Sequence, residues 1–362
     1  MFCKTLTFLL SLTVLLTWTV PAWAGDPITD GLTWLQTQQQ ADGGFTNGFS
    51  EGSDLGTTCD TVLAIAANGQ DASTWKSNSG NSPLDYLYVQ VAESAVDTLG
   101  LKAKVVLVLV TTGQDPTAFG GSDLIAELNA AYDEATHSYG GTVFDHALAM
   151  LALSNAGQPV PDEAGQYLLD SQNEDGAWAL FGDTESGTGD TNTTALAVQA
   201  LITTGRQDAI GDALTYLHSV QNDDGGFPYQ NPSDYGTDTD ANSTAVVLQA
   251  ILAAGESLSD WAPEGVDPLD ALTALHDPDS GAFFWQAAIP APNVLASAQA
   301  IPAMAEYTFA NLPRVEATDP PGSTAVPDGA ILPESGGTVL LPVAVIMLGI
   351  IALSTGGLLR RH

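Results

Sequence analysis

Five short apolar stretches of the chain close in the same way, at Asn68-Gly69, Thr112-Gly113, Ala156-Gly157, Thr204-Gly205 and Ala254-Gly255, with the glycines 44, 44, 48 and 50 residues apart. Glycine directly after an apolar stretch of helical spacing is the residue that takes the left-handed conformation past a helix C-terminus. The period therefore marks one helix end repeated five times, and a period of roughly 20 to 50 residues restricts the fold to repeated supersecondary units. A second marker precedes the later copies. Gln172-Asn173-Glu174-Asp175-Gly176-Ala177-Trp178 returns as Gln221-Asn222-Asp223-Asp224-Gly225-Gly226-Phe227, and an earlier copy is Gln39-Gln40-Ala41-Asp42-Gly43-Gly44-Phe45. Each follows apolar residues at helical spacing, such as Ala213, Tyr216 and Leu217.

The unit is thus helix, Asp-Gly-aromatic turn, loop, helix, glycine stop. Units fall near residues 27 to 69, 84 to 113, 122 to 157, 162 to 205, 209 to 255 and 268 to 310. Without strand-like alternation, six such hairpins predict an all-α closed ring rather than an open superhelix. The helices that end at the glycines, such as Ala195-Leu196-Ala197-Val198, are small and apolar and suit an inner wall packed on both sides.

Gln-x-x-Asp-Gly-[Gly/Ala]-[Phe/Trp] followed by Asp-x-Asn-[Ser/Thr]-Thr-Ala resembles the α/α-toroid superfamily, an α6/α6 barrel of six helical hairpins. That group holds squalene and other terpene cyclases, prenyltransferase β subunits, thioester domains and cobalamin carriers of the intrinsic factor type. The resemblance covers about residues 27 to 310, is clearest in hairpins four and five, and implies a fold rather than one activity. Cyclases of the protonating type use Asp-x-Asp-Asp-Thr-Ala, whose central Asp is the general acid. Aligned on Thr-Ala, this chain has Asn192, Asn242 or Gly56 there, and none can donate an acidic proton. The zinc pattern of the prenyltransferases fails at Cys59, which has Thr57 two positions before it, and the thioester motif is absent. The sequence reading is therefore a non-catalytic binding or interaction module. The alternative is a divergent cyclase or mutase, or a carbohydrate-active enzyme, that uses the toroid cavity.

Asp54, Asp190 and Asp240 stand where side-chain oxygens cap helix N-termini. In a toroid all inner helices start at one end, so these loops gather around one mouth. Asp54, Asp190, Asn192, Asp240 and Asn242 are accordingly the candidate ligand residues, with Tyr229 and Trp285 as stacking platforms. Asp234, Asp238 and Asp240 form an acidic stretch that also admits a Ca²⁺ site, the one cofactor the sequence suggests. The expected partner is a small molecule, a glycan or a surface protein.

Charge and termini set the setting of that ring. The 43 acidic residues all lie between Asp26 and Glu334, where only Lys76, Lys102, Lys104, Arg206 and Arg314 oppose them, a net charge of −38. Such a surface repels phosphate backbones, which excludes nucleic acid as a partner. Residues 1–24 read as a secretory signal cleaved between Ala24 and Gly25 after the small-x-small Ala22-Trp23-Ala24. Residues 25–311 are the toroid and 312–331 a Pro-rich stalk. Residues 332–362 open with Leu332-Pro333-Glu334-Ser335-Gly336, then an apolar run from Thr338 to Leu359 and Arg360-Arg361. This order resembles a sortase sorting signal with Ser335 in place of Thr, or a plain transmembrane anchor helix, and either would hold the protein at the cell surface by membrane or wall. Cys59 is the one cysteine left after signal removal, so no internal disulfide is expected.

Overall fold

A computed structural model of the protein describes residues 25–49, 51–319 and 321–322. The stretches read as a secretory signal (1–24) and as a sorting-like anchor (332–362) lie outside the described residues, and among those described no helix is long and apolar enough to cross a membrane.

Six helices make an inner wall: α2 (Leu55–Ala67), α4 (Leu99–Thr111), α6 (Val143–Asn155), α8 (Thr191–Thr203), α10 (Ala241–Ala254) and α12 (Val294–Met304). Each packs on the next, and α12 packs back on α2, so the ring is closed. The others, α1 (Pro27–Thr37), α3 (Pro83–Ala92), α5 (Leu124–Ala130), α7 (Asp162–Asp170), α9 (Gly211–Val220) and α11 (Pro268–Ala274), form the outer wall. Sequence character explains the sorting. In α7 only Ala164, Gly165 and Leu168 are buried and the acidic first turn faces water, whereas α8 buries every residue from Thr193 to Leu201. Gly69, Gly113, Gly157, Gly205 and Gly255 all have φ between 67° and 77°, the left-handed stop their spacing predicts.

The fold departs from the sequence reading in two places. Tyr132–Asp133 with Ser138–Tyr139 (β1, β2) and Phe283–Gln286 with Ile289–Asn293 (β3, β4) form antiparallel hairpins inside the connections, so the fold is not purely helical. In β4, Pro290 and Pro292 sit on a two-stranded ribbon, where an edge position tolerates a residue without N–H. The first part of the stretch assigned to a stalk is also built into the ring. From Tyr307 to Asp319 the chain crosses the end where the inner helices stop. Arg314 donates to the carbonyls of Val110 (3.2 Å) and Asn155 (3.0 Å), and the N–H groups of Val315 and Ala317 donate to Thr111 (2.8 Å) and Thr112 (3.0 Å). Helix C-termini leave carbonyls unsatisfied, and an extended Pro-containing segment has spare N–H groups to give them. Composition foretold extension but not docking.

Candidate functional site

The two repeat motifs form one device, made four times at the mouth. The hydroxyl residue four positions after the cap of the inner helix accepts from the backbone N–H of the turn aromatic: Phe45 to Thr58, Trp178 to Thr194 and Phe227 to Thr244 at 3.0 Å, and Phe283 to Ser297 at 2.9 Å. In three copies the capping Asp returns a bond to the same aromatic, its N–H donating to Phe45, Trp178 or Phe227 carbonyls at 2.8, 3.0 and 3.1 Å. The motif glutamine clamps the turn, since Gln39, Gln172 and Gln221 donate to the carbonyls of Gly43, Gly176 and Gly225 at 2.9, 2.8 and 2.8 Å. Gly176 shows why glycine is required: its φ is +90° and a Cβ there would lie 2.3 Å from the Asp212 carbonyl oxygen.

Asp54, Asp190 and Asp240 are the N-caps of α2, α8 and α10, accepting from the N–H of Thr57 (2.7 Å), Thr193 (2.7 Å) and Ser243 (2.8 Å). Two caps receive a second, longer-range bond. The Tyr229 hydroxyl donates to Asp190, and the Trp285 indole N–H donates to Asp240. Both aromatics stand two residues beyond the turn aromatic of the following hairpin, so each ties one repeat to the cap of the one before. Burial pushes both carboxyls up to about 6 despite the hydrogen bonds that favour the charged form. Burial and the Asp190 charge likewise raise the Tyr229 phenol.

Tyr229 and Trp285 wall a cavity of about 360 Å³ at this mouth. Asp183, Asp190, Asp238 and Asp240 line it together with Phe181 and Tyr235, and no Lys, Arg or His does. Phe181 and Tyr235 are 83% and 58% exposed, the largest exposures of any large apolar side chain among the described residues. Asp54 serves its own helix and lines neither this cavity nor the lumen. Asp234, Asp238 and Asp240 do not converge as a calcium site. Among the described residues no group of three or more His, Cys, Asp or Glu could hold a metal ion; Asp238 and Asp240 line the mouth cavity, Asp234 does not, and Asp240 is the cap of α10.

Asn192 and Asn242 face a different space, a cavity of about 80 Å³ in the ring lumen. Its polar wall contains residues that the repeat pattern did not single out. Lys104 on α4 reaches both oxygens of Asp60 on α2, at 2.7 and 2.8 Å. Gln299 on α12 donates to Asp60 at 2.8 Å and accepts from Asn242 at 2.8 Å. The available signal was a charged or amide residue within an otherwise apolar inner helix, as at Lys104 in Ala103-Lys104-Val105. Tyr307, Phe309, Leu312 and Pro313 of the crossing C-terminal segment form part of the lumen wall.

The squalene-hopene cyclase C-terminal domain family matches residues 123–280. The type II terpene cyclase MstE from Scytonema, in complex with geranylgeranyl dihydroxybenzoate, superposes with a TM-score of 0.54 at 11% identity over 79% of this chain and 97% of that one. The fold is that of the α/α toroid. A protein from Actinoplanes is similar to this toroid with a TM-score of 0.53 at 17% identity, covering 78% and 98% of the two chains. Haptocorrin in complex with Cbi gives 0.52 at 16% identity, covering 80% of the toroid's chain and 69% of its own. No curated protein matches the sequence. Against the cyclase motif that the sequence resembles, this toroid presents the amides Asn192 and Asn242 to its lumen at the general-acid register, beside a carboxylate already paired with Lys104.

Proposed function

We propose that the protein is a secreted, surface-held binding module whose ring mouth takes a small ligand joining a cationic group to an apolar body. One observation carries this reading: the mouth cavity sets four carboxylates among aromatic walls with no basic side chain to neutralise them. Aromatic faces attract cations over and above apolar contact, and a cleft lined by one sign of charge concentrates the opposite ion. Its volume of about 360 Å³ falls in the range of small-molecule sites, roughly 300 to 1,000 Å³. The solved toroids in complex with Cbi and with a terpene substrate are consistent with a small-molecule partner. The signal-like residues 1–24 and the sorting-like Leu332 to Arg361 support export and retention at the surface by wall or membrane.

Catalysis in the lumen is the weaker reading. An amide cannot supply a proton to an alkene, and the lumen cavity of about 80 Å³ is well below the usual substrate range. Calorimetric titration with phenethylammonium, and with uncharged phenethyl alcohol beside it, tests the reading. The ammonium is expected to bind, more weakly at high salt, and Trp285→Ala or Asp238→Asn to reduce its affinity about 5- to 30-fold. Equal binding of alcohol and ammonium removes the cationic requirement. Binding of a neutral oligosaccharide in place of both identifies the partner as a glycan.

A further inference from the structure

The lumen holds a second set of groups, apart from the mouth, that the fold does not use up. Asn192 and Asn242 each have an amide seven residues further along the same helix, two turns down the same face: Gln199 on α8 and Gln249 on α10. Their fates differ. The Gln199 oxygen accepts from the Phe309 N–H at 2.8 Å and its nitrogen donates to Ala195 at 3.4 Å, so the crossing segment absorbs it. Gln249 is 7% exposed, lines the cavity, and its amide finds no hydrogen-bond partner among the described residues. Its amide atoms are not sealed inside the protein but open to the cavity, so a water or a solute held there is what can complete their hydrogen bonding.

Other groups point the same way. Asn242 spends its nitrogen on Gln299 and keeps its oxygen, while Asn192 accepts from Thr191 through its oxygen and keeps its nitrogen. The lumen charges cancel, since Lys104 holds both oxygens of Asp60, so an ion entering would lose its hydration with no unpaired opposite charge to meet. Leu63, Phe144, Leu148, Leu196 and Val246 supply apolar walls.

We propose that the lumen is a binding site for a small uncharged solute that carries both a hydrogen-bond donor and an acceptor, of the amide or urea class, with Gln249 as its anchoring residue. Size agrees with that class. A cavity of about 80 Å³ is roughly half of one that takes benzene, which suits about three to five non-hydrogen atoms.

Saturation-transfer NMR on the whole chain with acetamide and urea as probes tests this, together with a titration of melting temperature. Acetamide is expected to receive saturation from lumen methyl groups and to raise the melting temperature. Gln249→Leu, close in volume but without the amide, is expected to weaken acetamide binding about tenfold or more. Should that variant fail to melt cooperatively, Gln249→Ala removes the same amide without crowding the space and carries the same expectation. Three results overturn the proposal: no saturation of either probe, which makes the lumen a water site only; equal binding by the Gln249 variants; or displacement of acetamide by phenethylammonium, which would put it at the mouth.

Discussion

The α8–α10 side of the ring and the α2–α4 side are held by opposite means. Between α8 and α10 the tie is made at the mouth. Thr191 donates through its N–H to Tyr229 at 2.9 Å and through its hydroxyl to Pro228 at 2.8 Å, while the Tyr229 hydroxyl returns to the Asp190 cap. Between α2 and α4 the tie crosses the lumen as the buried Asp60–Lys104 pair. Loop length separates them. Twelve to thirteen residues run from Trp178 to Asp190 and from Phe227 to Asp240, and these long loops wall the mouth cavity. Only residues 93–98 join α3 to α4, where Thr98 caps without any aromatic clamp. The repeat motif is therefore a fastening that lets a long loop stay ordered over the mouth, and ligand-facing groups come from the loops it fastens. Where the loop is short, the helices are joined inside.

The largest test of this contrast is on the lumen side. Asp60→Leu leaves the Lys104 ammonium buried without a counter-charge and is expected to cost about 3–5 kcal/mol in urea unfolding. Adding Lys104→Met is expected to recover most of the loss, because the buried pair contributes little beyond an apolar replacement. Failure of the double variant to recover would mean that the pair also holds Gln299 and Asn242 in place.

On the mouth side the caps titrate. Asp190 and Asp240 have folded values of about 6, above the unfolded value of about 3.9, so their stabilising contribution is complete below about pH 4 and lost as pH rises through 6. Each contributes up to about 3 kcal/mol to that fall, and the change is expected to level off above about pH 7. Urea midpoints at pH 4.5 and 7.5 measure it. The Asp190→Asn, Asp240→Asn double variant keeps capping ability and should flatten the profile; an unchanged slope would assign the effect to the acidic surface instead.

The smallest expected effect lies in the fastening itself. Thr244→Val removes the acceptor of the buried Phe227 N–H and is expected to cost about 1–3 kcal/mol. The same change is expected to weaken phenethylammonium binding, since it loosens the loop that carries Tyr229. A stability loss with unaltered binding would separate the fastening from the site.

Much of this was legible in the chain. Glycine stops, caps and Asp-Gly-aromatic turns act over a few residues, so the hairpin period and the inner and outer helices could be read from their spacing. Asp190 and Asp240 could be placed at the mouth because the repeat sets all inner helices starting at one end, whereas Tyr229 and Trp285 were picked out only by recurring just after the turns. The calcium reading of Asp234, Asp238 and Asp240 failed because the three do not come together, Asp234 standing outside the cavity that the other two line, and spacing along the chain does not reveal that separation.

Sequence alone determined a closed ring of six hairpins and the strongly acidic character of the chain. Tertiary structure decided which polar side chains share the lumen and which segment crosses its lower end. Asp60 meets Lys104 across 44 residues and Gln299 across 239, and Arg314 reaches Val110 across 204. Such partners are neighbours only because the ring closes, and no local preference of either residue encodes the meeting.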